Sequence, residues 1–160
     1  MTPEQAFDTY SDSVFRFAYR LTREAGLAED IAQECFLAYL RAPGRVDPSR
    51  GTVKTYLFAI ARNLALKHYR DTRESEPLDD VASERFSPDL AAAVEQAVAS
   101  LPALQQEAVV LFEYEGLTLE EIAQVCGCDA GTVKSRLHRA RERLRRILAP
   151  YRKVEHGTAG

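Results

Sequence analysis

The sequence contains no tryptophan, one methionine and three cysteines, and its apolar runs are all short. A helix that crosses a bilayer needs about 20 mostly apolar residues, so no membrane insertion is expected. The cysteines are odd in number and only Cys126 and Cys128 lie close together, which is not the pattern of a disulfide framework. The start of the chain has no basic stretch followed by an apolar one, as a secretory leader would. These absences together favour a cytoplasmic protein.

Acidic and basic residues are distributed unevenly along the 160 residues, although the formal net charge is only -3. Basic residues dominate positions 41–73 and 131–153, acidic residues dominate 74–90, and positions 91–130 contain no lysine or arginine. A chain that needed charge only for solubility would be expected to intersperse the two signs. The two basic blocks therefore predict two contacts with a polyanion.

The hydrophobic periodicity is helical along most of the chain. Apolar residues recur every three or four positions from Phe7 to Leu21 and again, with one slip, from Ile31 to Leu40. A loop rich in proline and glycine separates these two amphipathic helices from a long third helix over 52–70. No segment alternates convincingly as a strand would, so we predict an all-α protein.

An acidic segment over 74–89 contains two prolines and no sustained periodicity, which is typical of a linker. Helical periodicity resumes at Leu90. We therefore predict two small helical domains joined by this acidic linker, with the N-terminal domain over 1–73, the C-terminal domain over 90–150 and a short tail over 151–160.

The C-terminal domain is predicted to contain a helix-turn-helix. Thr118 and Glu121 have the spacing of a capping box, which fixes where a short helix begins. Gly127 suits the left-handed conformation of a tight turn, and Asp129 is a good N-cap for the helix that follows. A short helix, a turn with glycine and a second helix make up this motif.

The second helix of the motif has an apolar stripe and a basic outward face. The stripe runs from Val133 to Ile147 at spacings of four and three and is expected to pack on the core of the domain. The outward set is Thr132, Lys134, Ser135, Arg136, His138, Arg139, Arg141 and Arg143. Small polar side chains let a helix approach a groove closely, and arginine can bond to guanine edges or to phosphates. This combination favours a helix that reads the major groove over a merely solvated basic face.

Three segments carry a resemblance to a known family: "AEDIAQECFLAYLRA", "DPSRGTVKTYLFAIARNLALKHYR" and "LTLEEIAQVCGCDAGTVKSRLHRARERL". In this order and at this spacing they resemble the second conserved region, the promoter-melting segment and the fourth region of bacterial sigma factors of the extracytoplasmic-function (ECF) group, in the sigma-70 superfamily. The resemblance implies binding to core RNA polymerase and promoter-specific initiation, in which the N-terminal domain melts the promoter and the C-terminal domain reads the minus-35 duplex. It also implies an anti-sigma partner.

The resemblance assigns roles residue by residue. It implies that core polymerase is contacted by Asp30, Gln33 and Glu34. It implies that the minus-10 element is contacted by Asn63 and by the loop over 48–52 that contains Arg50. By their own chemistry Arg62, Lys67 and Arg70 are expected to track the phosphates of this element, and Tyr56 or Tyr69 is available for base stacking. The resemblance implies that the minus-35 element is read by Thr132, Lys134, Ser135, Arg136, His138 and Arg139. No cofactor is implied.

Two other interpretations stay open at this point. A dimeric helix-turn-helix repressor that acts without polymerase would also need a basic recognition helix, but it would give no role to Asp30 or Asn63. A metal or redox sensor would use Cys126 and Cys128, with His138 or Cys35 as a further ligand. The "CGC" sequence, however, lacks a matching second pair, and Cys126 lies on a buried stripe. An enzyme is not expected, because the three histidines are scattered and no carboxylate pair or glycine-rich phosphate loop accompanies them.

Overall fold

The computed structural model of the chain describes residues 2–46, 51–75 and 89–151, with side chains omitted over 69–75. Within these ranges every regular element is a helix, which confirms the predicted all-α class. Most of the predicted linker, the tail beyond position 151 and Arg50 lie outside the described residues. None of the helices described is both long and apolar enough to cross a membrane.

Three α-helices form the described part of the N-terminal lobe: α1 (Pro3–Thr22), α2 (Ala25–Arg41) and α3 (Val53–Ser75). A short 3-10 helix, Pro43–Arg45, follows α2. A capping box starts α1, because the Thr2 hydroxyl accepts from the Gln5 amide at 3.1 Å while the Gln5 side chain accepts from the Thr2 amide at 2.8 Å. In the buried centre of the lobe, Phe17 of α1 meets Phe58 of α3 edge to face, with ring centroids 5.4 Å apart. The third helix is longer than predicted and extends into the predicted linker.

Four helices form the C-terminal lobe: α4 (Leu90–Ala99), α5 (Ala103–Val109), α6 (Leu119–Cys126) and α7 (Ala130–Ile147). The helix of α5 continues into a π-helical segment, Val110–Tyr114, and Gly116 follows with a φ of 71°. This left-handed glycine confirms the predicted end of the helix, since only glycine adopts that conformation without steric cost.

Part of the predicted apolar stripe of the N-terminal lobe faces solvent. Phe7, Leu37 and Leu40 are 53%, 40% and 59% exposed. The buried face of α2 is formed by Ala28, Ile31, Cys35 and Tyr39, whose spacings of three and four residues leave Leu37 and Leu40 beside it. Leu37 and Leu40 therefore lie outside the core, in the part of α2 where the apolar periodicity slips.

The two lobes pack against each other, and buried apolar residues of both belong to one continuous core. The main contact is between α3 and α6, with further contacts from α1 and α3 to α5. The predicted promoter-melting helix therefore lies at the junction of the lobes.

Candidate nucleic-acid and polymerase interfaces

The helix-turn-helix has the predicted local chemistry. The Thr118 hydroxyl accepts from the Glu121 amide at 3.1 Å and the Glu121 carboxylate accepts from the Thr118 amide at 2.9 Å. Gly127 ends α6 in the left-handed conformation, with a φ of 68°. The Asp129 carboxylate accepts from the Thr132 amide at 2.7 Å, and this hydrogen bond lowers the pKa of Asp129. These local contacts fix where α7 begins and confirm the predicted motif.

Helix α7 divides into a buried and an exposed face. Val133, Leu137 and Ala140 are buried in the core of the lobe. The exposed members of the predicted minus-35 set are Lys134, Ser135, His138 and Arg139, while Thr132 is half-buried at the start of the helix. The exposed set forms a basic surface on one side of the helix.

Arg136 does not share that outward position. Its Nη1 lies 3.9 Å from the Glu107 carboxylate and donates to Cys128 Sγ at 3.8 Å, and its side chain is only 22% exposed. Its predicted placement on the free outward face is therefore wrong. A buried carboxylate on α5 attracts the guanidinium back toward the lobe.

Arg62 of α3 makes a bidentate ion pair across the lobe junction. Its Nε and Nη2 donate to the two oxygens of Glu107 at 2.9 and 3.0 Å. Desolvation lowers the pKa of Arg62, but the hydrogen bonds and negative charge of Glu107 outweigh it and the pKa is raised. The predicted phosphate-tracking role of Arg62 is thus not available in this arrangement. Asn63 and Lys67, by contrast, are exposed on the same helix.

Glu107 is a buried charged residue at the junction of the lobes that the sequence did not single out. Its side chain is fully buried, and besides the two arginines it accepts from Cys126 Sγ at 3.3 Å. Burial, reinforced by this carboxylate, raises the pKa of the Cys126 thiol to about 12. The signal was available, because Glu107 shares one helical face with Val110 and Leu111, where a charged residue needs a buried partner.

A small cavity of about 200 Å³ lies at the start of α3. Its walls come from the loop before α3 and the first turns of that helix, including Thr52, Thr55 and Tyr56, and from Gln124 at the end of α6. The Thr52 amide donates to the Thr55 hydroxyl at 2.9 Å, which caps α3 and shapes one wall. The C-terminal lobe thus covers one side of a cavity built by the predicted minus-10 segment. The side chains of Tyr69 and Arg70 lie outside the described residues.

The predicted polymerase-binding residues Asp30, Gln33 and Glu34 are all exposed on α2. Gln33 also lines an apolar groove of about 500 Å³ between α1 and α2, together with Phe7, Phe36, Leu37 and Leu40. Glu4 and Asp8 lie on its α1 side. Three of the exposed large apolar residues of the N-terminal lobe, Phe7, Leu37 and Leu40, are therefore gathered beside the predicted contact.

The three thiols do not form one cluster with histidines or carboxylates. Burial, followed by the charge of Glu34, raises the pKa of Cys35 to about 12, and this residue belongs to the core of the N-terminal lobe. Cys126 is buried in the other lobe, whereas His138 is exposed on α7. Among the described residues, no group of three or more histidine, cysteine, aspartate or glutamate side chains is placed to hold a metal ion.

Comparison with known proteins gives the family. The family model described as Sigma-70 region 2 matches residues 6–75, and the model described as Sigma-70, region 4 matches residues 91–144. The RNA polymerase sigma-H factor of Pseudomonas aeruginosa is 34% identical over 173 residues, covering 92% of this chain and 88% of that protein. The ECF RNA polymerase sigma factor SigE of Mycolicibacterium smegmatis is 36% identical over 155 residues, covering 89% of this chain. The chain belongs to the ECF sigma factors of the sigma-70 family.

The ECF sigma factor described here spans only 60% of the SigE relative, so that protein has further sequence without a counterpart in this chain. Its fold is similar to that of the sigma factor RpoE from Bartonella quintana, solved in complex with the anti-sigma factor NepR. The TM-score is 0.72 at 27% identity, over 91% of this chain and 96% of the other. CnrH, solved with the cytosolic domain of CnrY, has the same TM-score of 0.72 at 23% identity, over 92% of this chain and 88% of the other.

Family membership decides between the two DNA-binding interpretations. A repressor that acts without polymerase requires only the helix-turn-helix, but this ECF sigma factor matches region 2 as well as region 4 in the expected order. The repressor interpretation is therefore rejected. The resemblance stated from the three sequence segments is confirmed.

Proposed function

We propose that this ECF sigma factor binds core RNA polymerase in the cytoplasm and directs promoter-specific transcription initiation, without catalytic chemistry of its own. The observation that carries the proposal is the presence of both sigma regions on one chain, the second with a capped helix-turn-helix and an exposed basic face. The proposed division of labour follows the domains, with residues 1–73 acting at the polymerase and the minus-10 element and residues 90–150 acting at the minus-35 element. Residues 74–89 connect them.

In the minus-35 interface, α7 enters the major groove with its exposed face. Lys134, Ser135, His138 and Arg139 supply donors toward bases and phosphates, and Thr132 lies at the N-terminal end of the helix, where close approach is easiest. Arg136 belongs to the proposed set only if its guanidinium leaves Glu107, because the ion pair directs it away from the exposed face.

In the minus-10 interface, α3 and the loop before it contact the unpaired strand. Extruding a base from the stack costs a few kcal/mol, which contacts to the base and backbone must offset. Asn63 and Lys67 are exposed for such contacts. Tyr56, on the wall of the cavity at the start of α3, offers an aromatic surface. The remaining members of the proposed set are Arg50, Arg62 and Arg70.

The polymerase contact uses α2. Asp30, Gln33 and Glu34 are exposed together, and the apolar groove beside Gln33 enlarges the surface. An acidic patch bordering apolar side chains suits a helical partner that carries basic residues beside an apolar stripe. An anti-sigma partner is also proposed, since the similar RpoE from Bartonella quintana was solved in complex with one.

Reconstitution with core polymerase and a promoter library tests the function. We expect transcripts from a subset of promoters that share a minus-35 sequence. If Arg139 reads a base edge, Arg139→Ala should weaken the free energy of binding to these promoters by about 1–3 kcal/mol, seen as reduced initiation from them. Arg145→Ala is the matched control, because Arg145 is exposed on the last turn of α7, away from its start. Initiation nowhere in the library would refute the proposal, and equal losses in the two variants would remove Arg139 from the reading surface.

Asn63→Ala tests the melting role separately. We expect normal formation of the closed complex and reduced strand opening, measured by permanganate reactivity of unpaired thymines in the minus-10 element. A variant that loses closed-complex binding but opens normally once bound would contradict the assignment.

A further inference from the structure

Glu107 of α5 faces the recognition helix from inside the C-terminal lobe. Its side chain is fully buried, and its Oε1 lies 3.9 Å from Nη1 of Arg136 on α7. The same oxygen accepts a hydrogen bond of 3.3 Å from Sγ of Cys126, the last residue of α6. One carboxylate therefore contacts both helices of the helix-turn-helix.

A second contact holds Arg136 in this position. Its Nη1 donates to Sγ of Cys128, in the turn between the two helices, at 3.8 Å, and only 22% of its side chain is exposed. The neighbouring basic residues Lys134 and Arg139 are exposed. Arg136 differs from these two residues because its own side-chain contacts turn it back toward the core.

Arg136 nevertheless lies at the edge of the proposed reading surface. Thr132 precedes it by four residues and Arg139 follows it by three, so the three residues are neighbours on one side of α7. A guanidinium released from Glu107 would extend beside that of Arg139, where it could contact a DNA phosphate. The contact with Glu107 therefore decides whether α7 presents this additional cation to DNA.

The contact between Glu107 and Arg136 does not require the N-terminal lobe. Arg62 of α3 is the closer partner of Glu107, at 2.9 Å, whereas Arg136 and Cys126 belong to the same lobe as Glu107. A carboxylate buried without a paired cation is strongly unfavourable. Wherever Arg62 is engaged elsewhere, Arg136 is the cation within the C-terminal lobe that compensates this charge.

We propose that Glu107 is a positioning residue that withholds the Arg136 guanidinium from DNA and so limits the number of phosphate contacts that α7 makes. Affinity for DNA of arbitrary sequence comes essentially from contacts between cations and phosphates. Withholding one cation keeps this sequence-independent affinity low, while the exposed residues of α7 remain available to read the duplex. This inference rests on the proposed reading of the minus-35 element by α7.

The salt dependence of binding counts phosphate contacts, because each contact steepens the slope of log affinity against log salt by about 0.9. The measurement uses holoenzyme reconstituted from core polymerase and the full-length chain, with fluorescent duplexes that carry the minus-35 element or a scrambled sequence. Glu107→Gln preserves the shape of the side chain and removes its charge. It should steepen the slope by about 0.9 on both duplexes and bind the scrambled duplex at least about threefold more tightly near 0.1 M salt.

Arg136→Met reports directly on whether this guanidinium touches DNA. In the otherwise wild-type chain it should leave the slope unchanged, whereas at least one of Lys134→Met and Arg139→Met should flatten the slope by about 0.9. The Glu107→Gln/Arg136→Met variant should return to the wild-type slope. A purely structural role of Glu107 would not produce this pattern, because damage to the lobe would not be reversed by removing Arg136.

Glu113→Gln is the matched control. Glu113 also faces an arginine of α7, since its Oε1 lies 3.3 Å from Nη2 of Arg141, but the two side chains are 53% and 47% exposed. The same charge change is thus made where the arginine already reaches solvent. The slope should change by less than half as much as in Glu107→Gln, and equal changes would assign the effect to net charge and overturn the proposal.

The remaining outcomes are distinguishable. A flatter slope in Arg136→Met alone would show that Arg136 already contacts DNA, which overturns the withholding, and an unchanged slope in folded Glu107→Gln would overturn it as well. If circular dichroism shows that Glu107→Gln does not fold, the comparison of Arg136→Met with Lys134→Met and Arg139→Met decides alone. If neither Lys134→Met nor Arg139→Met flattens the slope, the proposed reading by α7 is refuted and this inference with it.

Discussion

Breaking the Arg62–Glu107 pair should destabilise the protein more than breaking any of the more exposed pairs at the junction. The Glu107 side chain is fully buried and that of Arg62 is 15% exposed, and two hydrogen bonds of 2.9 and 3.0 Å join them. Removing one partner of a buried pair leaves an uncompensated charge and typically costs about 3–5 kcal/mol. Since Arg136 and Cys126 still face Glu107, we expect Arg62→Met to cost about 3 kcal/mol, at the lower end of that range.

A double-mutant cycle isolates the pair from the other effects of each change. With Glu107→Gln as the second substitution, the coupling energy should be about 2 kcal/mol, within the range for residues that share one network. Lys54→Met and Glu121→Gln form the control cycle, because that pair has side chains 27% and 28% exposed at 3.4 Å. Its coupling should be about 0.2–1 kcal/mol. Glu121→Gln also alters the capping hydrogen bond between Glu121 and Thr118, but this effect is the same with and without the Lys54 substitution and therefore cancels in the cycle.

Urea denaturation followed by far-UV circular dichroism measures the four free energies of unfolding in each cycle. The denaturant slope must stay constant between variants, because a two-lobed protein that loses its junction can unfold in two steps. Equal coupling energies in the two cycles would refute the reasoning, since burial would then contribute nothing to the Arg62–Glu107 interaction.

Further predictions concern the thiols and the turn. With pKa values of about 12, Cys35 and Cys126 should react with iodoacetamide at pH 8 roughly a thousandfold more slowly in the folded protein than in urea. Mass spectrometry of quenched samples measures the two alkylation rates, and equal rates would contradict the burial of these thiols. These thiols stay protonated in the folded protein but ionise in the unfolded chain above a pKa of about 9, so the free energy of unfolding should fall as the pH rises from 9 towards 12. In a variant with both cysteines replaced by alanine, the free energy of unfolding should fall less over the same pH range. Gly127→Ala should lower the free energy of unfolding, measured by thermal denaturation, by about 1–2 kcal/mol. A Cβ at this position would meet no atom within 4 Å, so the penalty comes from the positive φ alone. The control is Gly131→Ala, at a helical glycine, which should leave the free energy of unfolding unchanged or raise it.

Local chemistry explains why the helix-turn-helix could be predicted. The partners of each cap lie three residues apart, as Thr118 and Glu121 do, so the sequence contains both halves of the interaction within one helical turn. The same holds for Asp129 and for the left-handed Gly127, whose conformational requirement is set by its own backbone. The all-α class followed in the same way from periodicity.

The pairing of Arg62 could not be predicted from the sequence. Its partner Glu107 is 45 positions away, and periodicity indicates which face of a helix is polar without indicating what that face meets. Arg136 was misplaced for the same reason, since a basic residue next to a buried stripe is as compatible with an internal carboxylate as with solvent. Only the charge of Glu107 on an apolar face hinted at an internal electrostatic site.

The charge segregation of the chain acquires a second explanation from the junction. Two basic blocks predicted two polyanion contacts, and the acidic stretch over 91–130 had no evident purpose beyond lowering the net charge. Four of its carboxylates are paired with cations of the N-terminal lobe, and two of these cations, Lys54 and Arg62, belong to the first basic block. Part of the acidic stretch is therefore an internal partner of that block. An acidic and a basic surface on one chain meet at a high effective concentration, so the charge segregation serves contacts within the protein as well as the proposed contacts with DNA.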